Sequence, residues 1–196
     1  MQMREEDSRK LWGRRIIVVV TGGIAAYKIG FVVRDLIDLG ASVSVAMTRN
    51  ATEFVGPATF EALTGEPVYL DMFDRDPTGG VEHVGLARSV DAVLVAPATA
   101  NVLAKMACGI ADDAATTLLL ATTSPIVVAP AMNDGMWKNP ATVENMTKLE
   151  KRGVRVASPE VGFLAEGYES VGRMAEPAAL VEAVLSVFEV ESGKET

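Results

Sequence analysis

Cysteine and histidine are nearly missing from this sequence, with one cysteine, Cys108, and one histidine, His83, in 196 residues. A lone cysteine excludes an intrachain disulfide and a cysteine-rich metal site, and a lone histidine leaves imidazole chemistry a single candidate. No metal site is expected. Long apolar runs are absent as well: nothing approaches the roughly 18 to 20 residues needed to cross a bilayer. The charged start, residues 1–10, has no apolar signal-peptide centre behind it. A cytoplasmic location, away from any membrane, is the expectation. Basic clusters are the third absence. Eighteen Lys and Arg are scattered among 26 Asp and Glu, for a net charge of −8. That excludes the phosphate-tracking stripe of a nucleic-acid binder.

What is present is apolar and glycine-rich, 49% hydrophobic with 17 glycines, which suits buried strands and close helix–sheet packing. Residues 1–13 mix charges without periodicity and read as a mobile or partly helical extension, with a single domain over 14–196. Short β-branched or apolar runs at 16–20, 43–47, 92–96 and 126–129 read as buried strands, with a shorter one at 154–157. Helical spacing follows at 25–39, 57–63, 100–107, 113–121 and 142–152, and returns at 180–188. Alternating strands and helices predict an α/β fold, a Rossmann-like (flavodoxin-like) three-layer sandwich around a parallel sheet. The glycine-rich, polar stretch 158–177 reads as a loop.

Ligands of such sheets sit beyond the carboxyl ends of the strands, where three turns stand out. The first, Thr21-Gly22-Gly23-Ile24-Ala25-Ala26-Tyr27-Lys28, lets backbone amides and a helix start approach an anion, although a glycine pair alone is more often a plain tight turn. Its spacing is not the Gly-x-Gly-x-x-Gly of dinucleotide sites, which argues against a nicotinamide dehydrogenase. The second, Ala96-Pro97-Ala98-Thr99-Ala100-Asn101, and the third, Ala129-Pro130-Ala131-Met132-Asn133-Asp134-Gly135-Met136-Trp137, each put an asparagine past a buried strand. An asparagine amide can hold a ring edge or a carboxylate without adding charge, and helix capping is the competing role for each.

These turns, with His83-Val-Gly-Leu-Ala-Arg88, occur in an order that resembles the homo-oligomeric flavin-containing cysteine decarboxylases, a family that includes phosphopantothenoylcysteine decarboxylase and peptidyl-cysteine decarboxylases. The resemblance runs over residues 14–177, and Pro-x-Met-Asn-x-x-Met-Trp is its most specific motif. It implies FMN as cofactor, held by Gly22, Gly23, Ile24, Thr48, Asn50, Thr99, Ala100, Asn101 and Ala131. Asn133 would take the substrate carboxylate, with Met136, Gly172, Arg173 and Met174 also on the substrate, and His83 would be the active-site histidine near the substrate thiol. The implied chemistry oxidises the cysteine Cβ–S bond so that carbon dioxide leaves into a conjugated sink, giving an aminoenethiol. The family also implies a homotrimer, often assembled into dodecamers.

Residues 158–177 match the family's substrate clamp, Leu-Ala-Cys-Gly, four residues, then Gly-Arg-Met, but Glu166 stands where the clamp cysteine belongs. Cys108, expected on a buried helix face, is no substitute. Glu166 could still donate a proton if burial raised its pKa; the competing reading is an exposed loop carboxylate. This departure, and the lack of a synthetase segment after the last helix, lean toward oxidative decarboxylation of a peptide's C-terminal cysteine. The retained Gly-Arg-Met-Ala-Glu-Pro spacing keeps phosphopantothenoylcysteine as the alternative substrate. A non-decarboxylating flavin-binding or prenyl-transferring relative is the reading from another class.

Overall fold

The computed structural model describes residues 10–71 and 82–192, with side chains over 10–71 and 85–189. In chain order the elements are β1 (Arg15–Val20), α1 (Ile29–Asp38), β2 (Ser42–Met47), α2 (Pro57–Thr64), α3 (Glu82–Ser89), β3 (Ala92–Ala98), α4 (Ala100–Cys108), α5 (Ala114–Ala121), β4 (Ile126–Pro130), α6 (Asp134–Trp137), α7 (Pro140–Lys151), β5 (Arg155–Val156), β6 (Glu160–Phe163), β7 (Glu169–Arg173) and α8 (Pro177–Ser192). Strands β1 to β5 form one parallel sheet in the order β2-β1-β3-β4-β5. The expected three-layer α/β fold is therefore what forms.

Alternation along the strands divides the core in two. Ile16, Val18, Val20, Leu94, Ala96, Val127 and Ala129 face one side, where α1, Phe60 of α2, and α8 cover them. Ile17, Val19, Val93, Val95 and Val128 face the other, against Ala87 of α3, Leu103 of α4, Leu118 of α5 and Leu149 of α7. Because both faces are covered, the strands read as unbroken apolar runs. Helix α8 supplies Leu180, Val184 and Phe188 to the first half of the core, and the Arg14 guanidinium lies 4.7 Å from the centre of the Phe188 ring.

Four expectations need correction. The fold begins before Arg14: Leu11 is fully buried and its amide donates to the Leu39 carbonyl at 2.9 Å, because an apolar side chain among charged neighbours still finds the core. The helix expected at 25–39 is a 3-10 turn, Ile24–Lys28, followed by α1, so the glycine pair opens onto a tight turn rather than a long helix. Cys108 is exposed at the end of α4, whose buried face is Val102, Leu103 and Ala107. The stretch 158–177 is not a plain loop, because β6 and β7 pair antiparallel within it. Its turn closes with the Leu164 amide donating to the Tyr168 carbonyl at 2.9 Å, and Gly167, at φ +88°, takes the left-handed conformation of a three-residue hairpin loop.

Candidate active site

The sheet order reverses between β1 and β3, and a crevice opens beyond their carboxyl ends, as it must where neighbouring crossovers leave in opposite directions. Thr21 ties the two strand ends together: its buried hydroxyl donates to the Pro97 carbonyl at 2.5 Å and accepts from the Thr99 amide at 3.3 Å. Two cavities meet there and share Gly22 and Thr99. Gly22 is needed for closeness, since a Cβ at that position would stand 2.5 Å from Asn50 Cβ.

The first cavity, about 290 Å³, is polar, with Thr48, Arg49, Asn50, Asn101, Lys105 and Thr116 in its wall. Lys105 is held by Asp112 at 2.6 Å and Asp113 at 3.2 Å, and the Asp112 hydrogen bond, ahead of the other contacts, raises its pKa. Its charge is thus answered locally. Arg49 makes no ion pair among the described residues, and Thr48 Oγ1 is buried without a hydrogen-bond partner. A cation, an orphaned hydroxyl and the start of α4, capped by Thr99 Oγ1 accepting from Val102 N at 3.3 Å, fit an anionic group such as a phosphate.

The second cavity, about 280 Å³, is more apolar and lies between the glycine turn and the hairpin; Ile24, Ala100, Ala131, Met136, Phe163 and Met174 line it. Gly172 brings β7 against the third turn. At φ +134° its carbonyl accepts from the Met132 amide at 3.0 Å, and a Cβ there would run into the Met132 carbonyl oxygen. Arg173 pairs with Glu160 at 3.0 Å and Glu176 at 3.2 Å, and Lys28 pairs with Glu176 at 3.2 Å. This ladder fixes the hairpin's base to the first turn.

Of the residues expected at a site, all but one line these cavities: Gly22, Gly23, Ile24, Thr48, Asn50, Thr99, Ala100, Asn101, Ala131, Asn133, Met136, Glu166, Gly172, Arg173 and Met174. His83 lies in the first turn of α3, and its side chain falls outside the described residues. Glu166 is exposed at the hairpin tip, as the competing reading of a loop carboxylate had it. Asn133 takes the capping role weighed for it. Its Oδ1 caps α6 by accepting from Gly135 N at 2.8 Å, while Nδ2 donates to Glu166 Oε1 and Tyr168 Oη, each at 2.9 Å.

A Flavoprotein family profile matches residues 4–189. The chain belongs to the Flavoprotein family. Among curated relatives of this Flavoprotein chain is the coenzyme A biosynthesis bifunctional protein CoaBC of Vibrio parahaemolyticus, 44% identical over 91% of this chain and 45% of that protein. The Mycobacterium bovis CoaBC is 48% identical over 83% of this chain and 38% of its own length. The chain thus spans less than half of these curated relatives. Among solved structures, a PPC decarboxylase mutant complexed with pantothenoylaminoethenethiol superposes with a TM-score of 0.79 at 29% identity, covering 90% of this chain and 98% of that one. The FMN-dependent cysteine decarboxylase SpaF superposes with a TM-score of 0.74 at 33% identity, covering 89% and 99%.

Residues that the sequence did not single out hold the hairpin of this family member in place. Tyr168 Oη donates to Asp134 Oδ1 at 2.7 Å, Ser170 Oγ donates to Asp134 Oδ2 at 3.0 Å, and Lys138 Nζ pairs with the same oxygen at 2.8 Å. The Lys138 hydrogen bond first, then those from Tyr168 and Ser170, hold the Asp134 carboxyl well below its usual 3.8. Asp134, by accepting the hydrogen bond, in turn raises the Tyr168 pKa. A depressed carboxyl contributes stability in full above its unfolded-state value and loses it as pH falls through the folded one. The hairpin anchor is therefore expected to be constant between pH 5 and 8 and to fail only in acid. Asp134→Asn should reduce protection of the Met132 and Leu164 amides against hydrogen exchange by about three- to tenfold at pH 7, the scale of a lost hydrogen bond. Unchanged protection in that variant would remove Asp134 as the anchor.

Proposed function

We propose that this chain is an FMN-dependent decarboxylase of the phosphopantothenoylcysteine kind, acting in the cytoplasm, where coenzyme A metabolism would place it. The carrying observation is the Asn133 amide, presented at the edge of an apolar cavity beneath a Gly-Arg-Met hairpin, in a chain 44% identical to a coenzyme A biosynthesis protein. The preference drawn from Glu166 for a peptide's C-terminal cysteine gives way on this comparison. The likeness to the peptidyl-cysteine decarboxylase EpiD, with a TM-score of 0.74 at 25% identity, keeps the peptide substrate as the second reading.

Thr48, Arg49, Asn50 and Asn101 would hold the cofactor's phosphate end, and Gly22, Gly23, Ile24, Thr99, Ala100 and Ala131 would lie along the rest of it. Bound across the two cavities, FMN would supply a two-electron acceptor for the substrate thiol carbon, which eases loss of carbon dioxide. Asn133 would orient the carboxylate by neutral donors, so that its charge is held but not locked as it is lost. Met136, Gly172, Arg173 and Met174 would shape the wall along the substrate and keep water from it, His83 is assigned to the thiol, and Glu166 is assigned to hold or deliver a proton at the cavity mouth. Ile24, Tyr27 and Phe31, 62%, 59% and 62% exposed at helical spacing, support a face covered by a second copy, in a trimer or in a dodecamer assembled from trimers.

Purified protein should be yellow and release FMN on acid precipitation, with a mass by light scattering that is a multiple of 20.7 kDa. Incubated without oxygen, phosphopantothenoylcysteine should lose carbon dioxide alone over many turnovers. Loss of the elements of formic acid, with turnover needing oxygen, would move the assignment to the peptide reading. No mass change in either substrate with FMN bound would overturn both.

A further inference from the structure

Both hydrogens of the Asn133 amide are committed, one to Glu166 Oε1 and one to Tyr168 Oη, each at 2.9 Å, and its oxygen is taken by Gly135 N at 2.8 Å. A side-chain amide has two hydrogens to give, so no donor is left for an incoming ligand. We propose that Glu166 is a specificity-determining residue: its own carboxylate occupies the subsite at Asn133 that receives the substrate carboxylate. A carboxylate ligand then binds only by displacing it, and a carboxylate-free ligand, the decarboxylated product included, binds without doing so. This rests on the assignment of Asn133 under the proposed function.

The geometry identifies which of the two partners yields. Tyr168 is tied through its hydroxyl to Asp134, which is itself held by Ser170 and Lys138. Glu166 lies in the middle of the three-residue loop at the hairpin tip, is exposed, and makes its side-chain hydrogen bond to Asn133. It can swing away without disturbing the core. Two carboxylates at one amide repel each other, so substrate and Glu166 exclude one another there. Once carbon dioxide has left, the return of Glu166 satisfies the amide hydrogen that the substrate vacates. Glu166 thereby weakens binding of the acid substrate relative to its product, and the polar subsite is occupied at every stage of the cycle.

The test uses FMN-loaded protein and two ligands that cannot be oxidised at sulfur: phosphopantothenoylserine, which keeps the carboxylate, and phosphopantothenoylethanolamine, which lacks it. Affinities are read by calorimetry, and retention of the bound-flavin spectrum confirms that each variant is folded. Glu166→Ala should tighten the serine compound about tenfold, the scale of a hydrogen bond to a charged group that no longer has to be broken. The ethanolamine compound should stay within about twofold. Glu166→Gln, which keeps the acceptor oxygen but not the charge, should tighten the serine compound by an intermediate factor. Equal shifts for both ligands, or weaker binding of the serine compound, would overturn the proposal while leaving the decarboxylase assignment standing. Binding of neither ligand by the unaltered, flavin-loaded protein would remove the Asn133 assignment, and this inference with it.

Discussion

Asn133→Asp should lower kcat/KM for phosphopantothenoylcysteine by at least about a hundredfold, because like charges set against one another in a binding site cost several kcal/mol. The substitution is a clean one structurally. Oδ1 still accepts from Gly135 N, so α6 keeps its cap, and the side-chain volume hardly changes. What is lost is the pair of hydrogens now given to Glu166 and Tyr168. In their place a carboxylate oxygen would face the Glu166 carboxylate at 2.9 Å and any substrate carboxylate that arrived. FMN should remain bound, because Asn133 is not among the residues of the polar cavity that would hold the cofactor's phosphate end. Decarboxylation measured by product mass, alongside the flavin spectrum, decides the matter; activity within about threefold of the unaltered protein would mean that Asn133 does not meet the carboxylate.

Gly22→Ala should cost about a hundredfold or more in FMN affinity, whereas Gly23→Ala should be tolerated within a few-fold. The contrast follows from what each added methyl would meet. At Gly22 it would stand 2.5 Å from Asn50 Cβ and 2.9 Å from the Asn50 carbonyl carbon, and backbone cannot yield as the end of a side chain can. The two turns would have to part where the cavities join, and overpacking of this sort costs on the order of 1 to 3 kcal/mol before any contact to a ligand is lost. At Gly23 the nearest atom is Pro97 Cγ at 3.5 Å, an ordinary contact. Titration of apoprotein with FMN, followed by flavin fluorescence, measures both. Equal affinities for the two variants would mean that the close approach of Gly22 to Asn50 is not what shapes the cofactor site.

The strands of the sheet were legible because covering on both faces leaves an unbroken apolar run, as in Ile16 to Val20, and few other structures require one. The turns were legible because glycine, proline and asparagine at strand ends have few other uses. The hairpin was not, since Val161 and Phe163 alternate with Glu160 and Gly162 on a two-stranded ribbon that buries little, and the strand signal depends on burial. Gly167 was the available clue, a glycine three residues past Leu164 where a hairpin loop needs a left-handed residue. Asp134, Tyr168 and Ser170 carried no signal of their own. They come from the third turn, from the residue just before β7 and from β7 itself, and only the fold brings a carboxylate and two hydroxyls to one point. Leu11 was hidden for the opposite reason, as a single buried side chain has no period to detect.

The packing of α8 bears on how the chain comes off the ribosome. Its Leu180, Val184 and Phe188 cover the same side of the sheet as Ile16, Val18 and Leu94, residues made earlier in translation. While synthesis runs from β1 through β4, that side is left without its last cover, and the nascent chain carries an open apolar surface of the kind on which chaperones act. Arg14 over the Phe188 ring then joins the residue just before β1 to α8. A ribosome that stalls before α8 would therefore release a chain with its cofactor turns already made and its core still open.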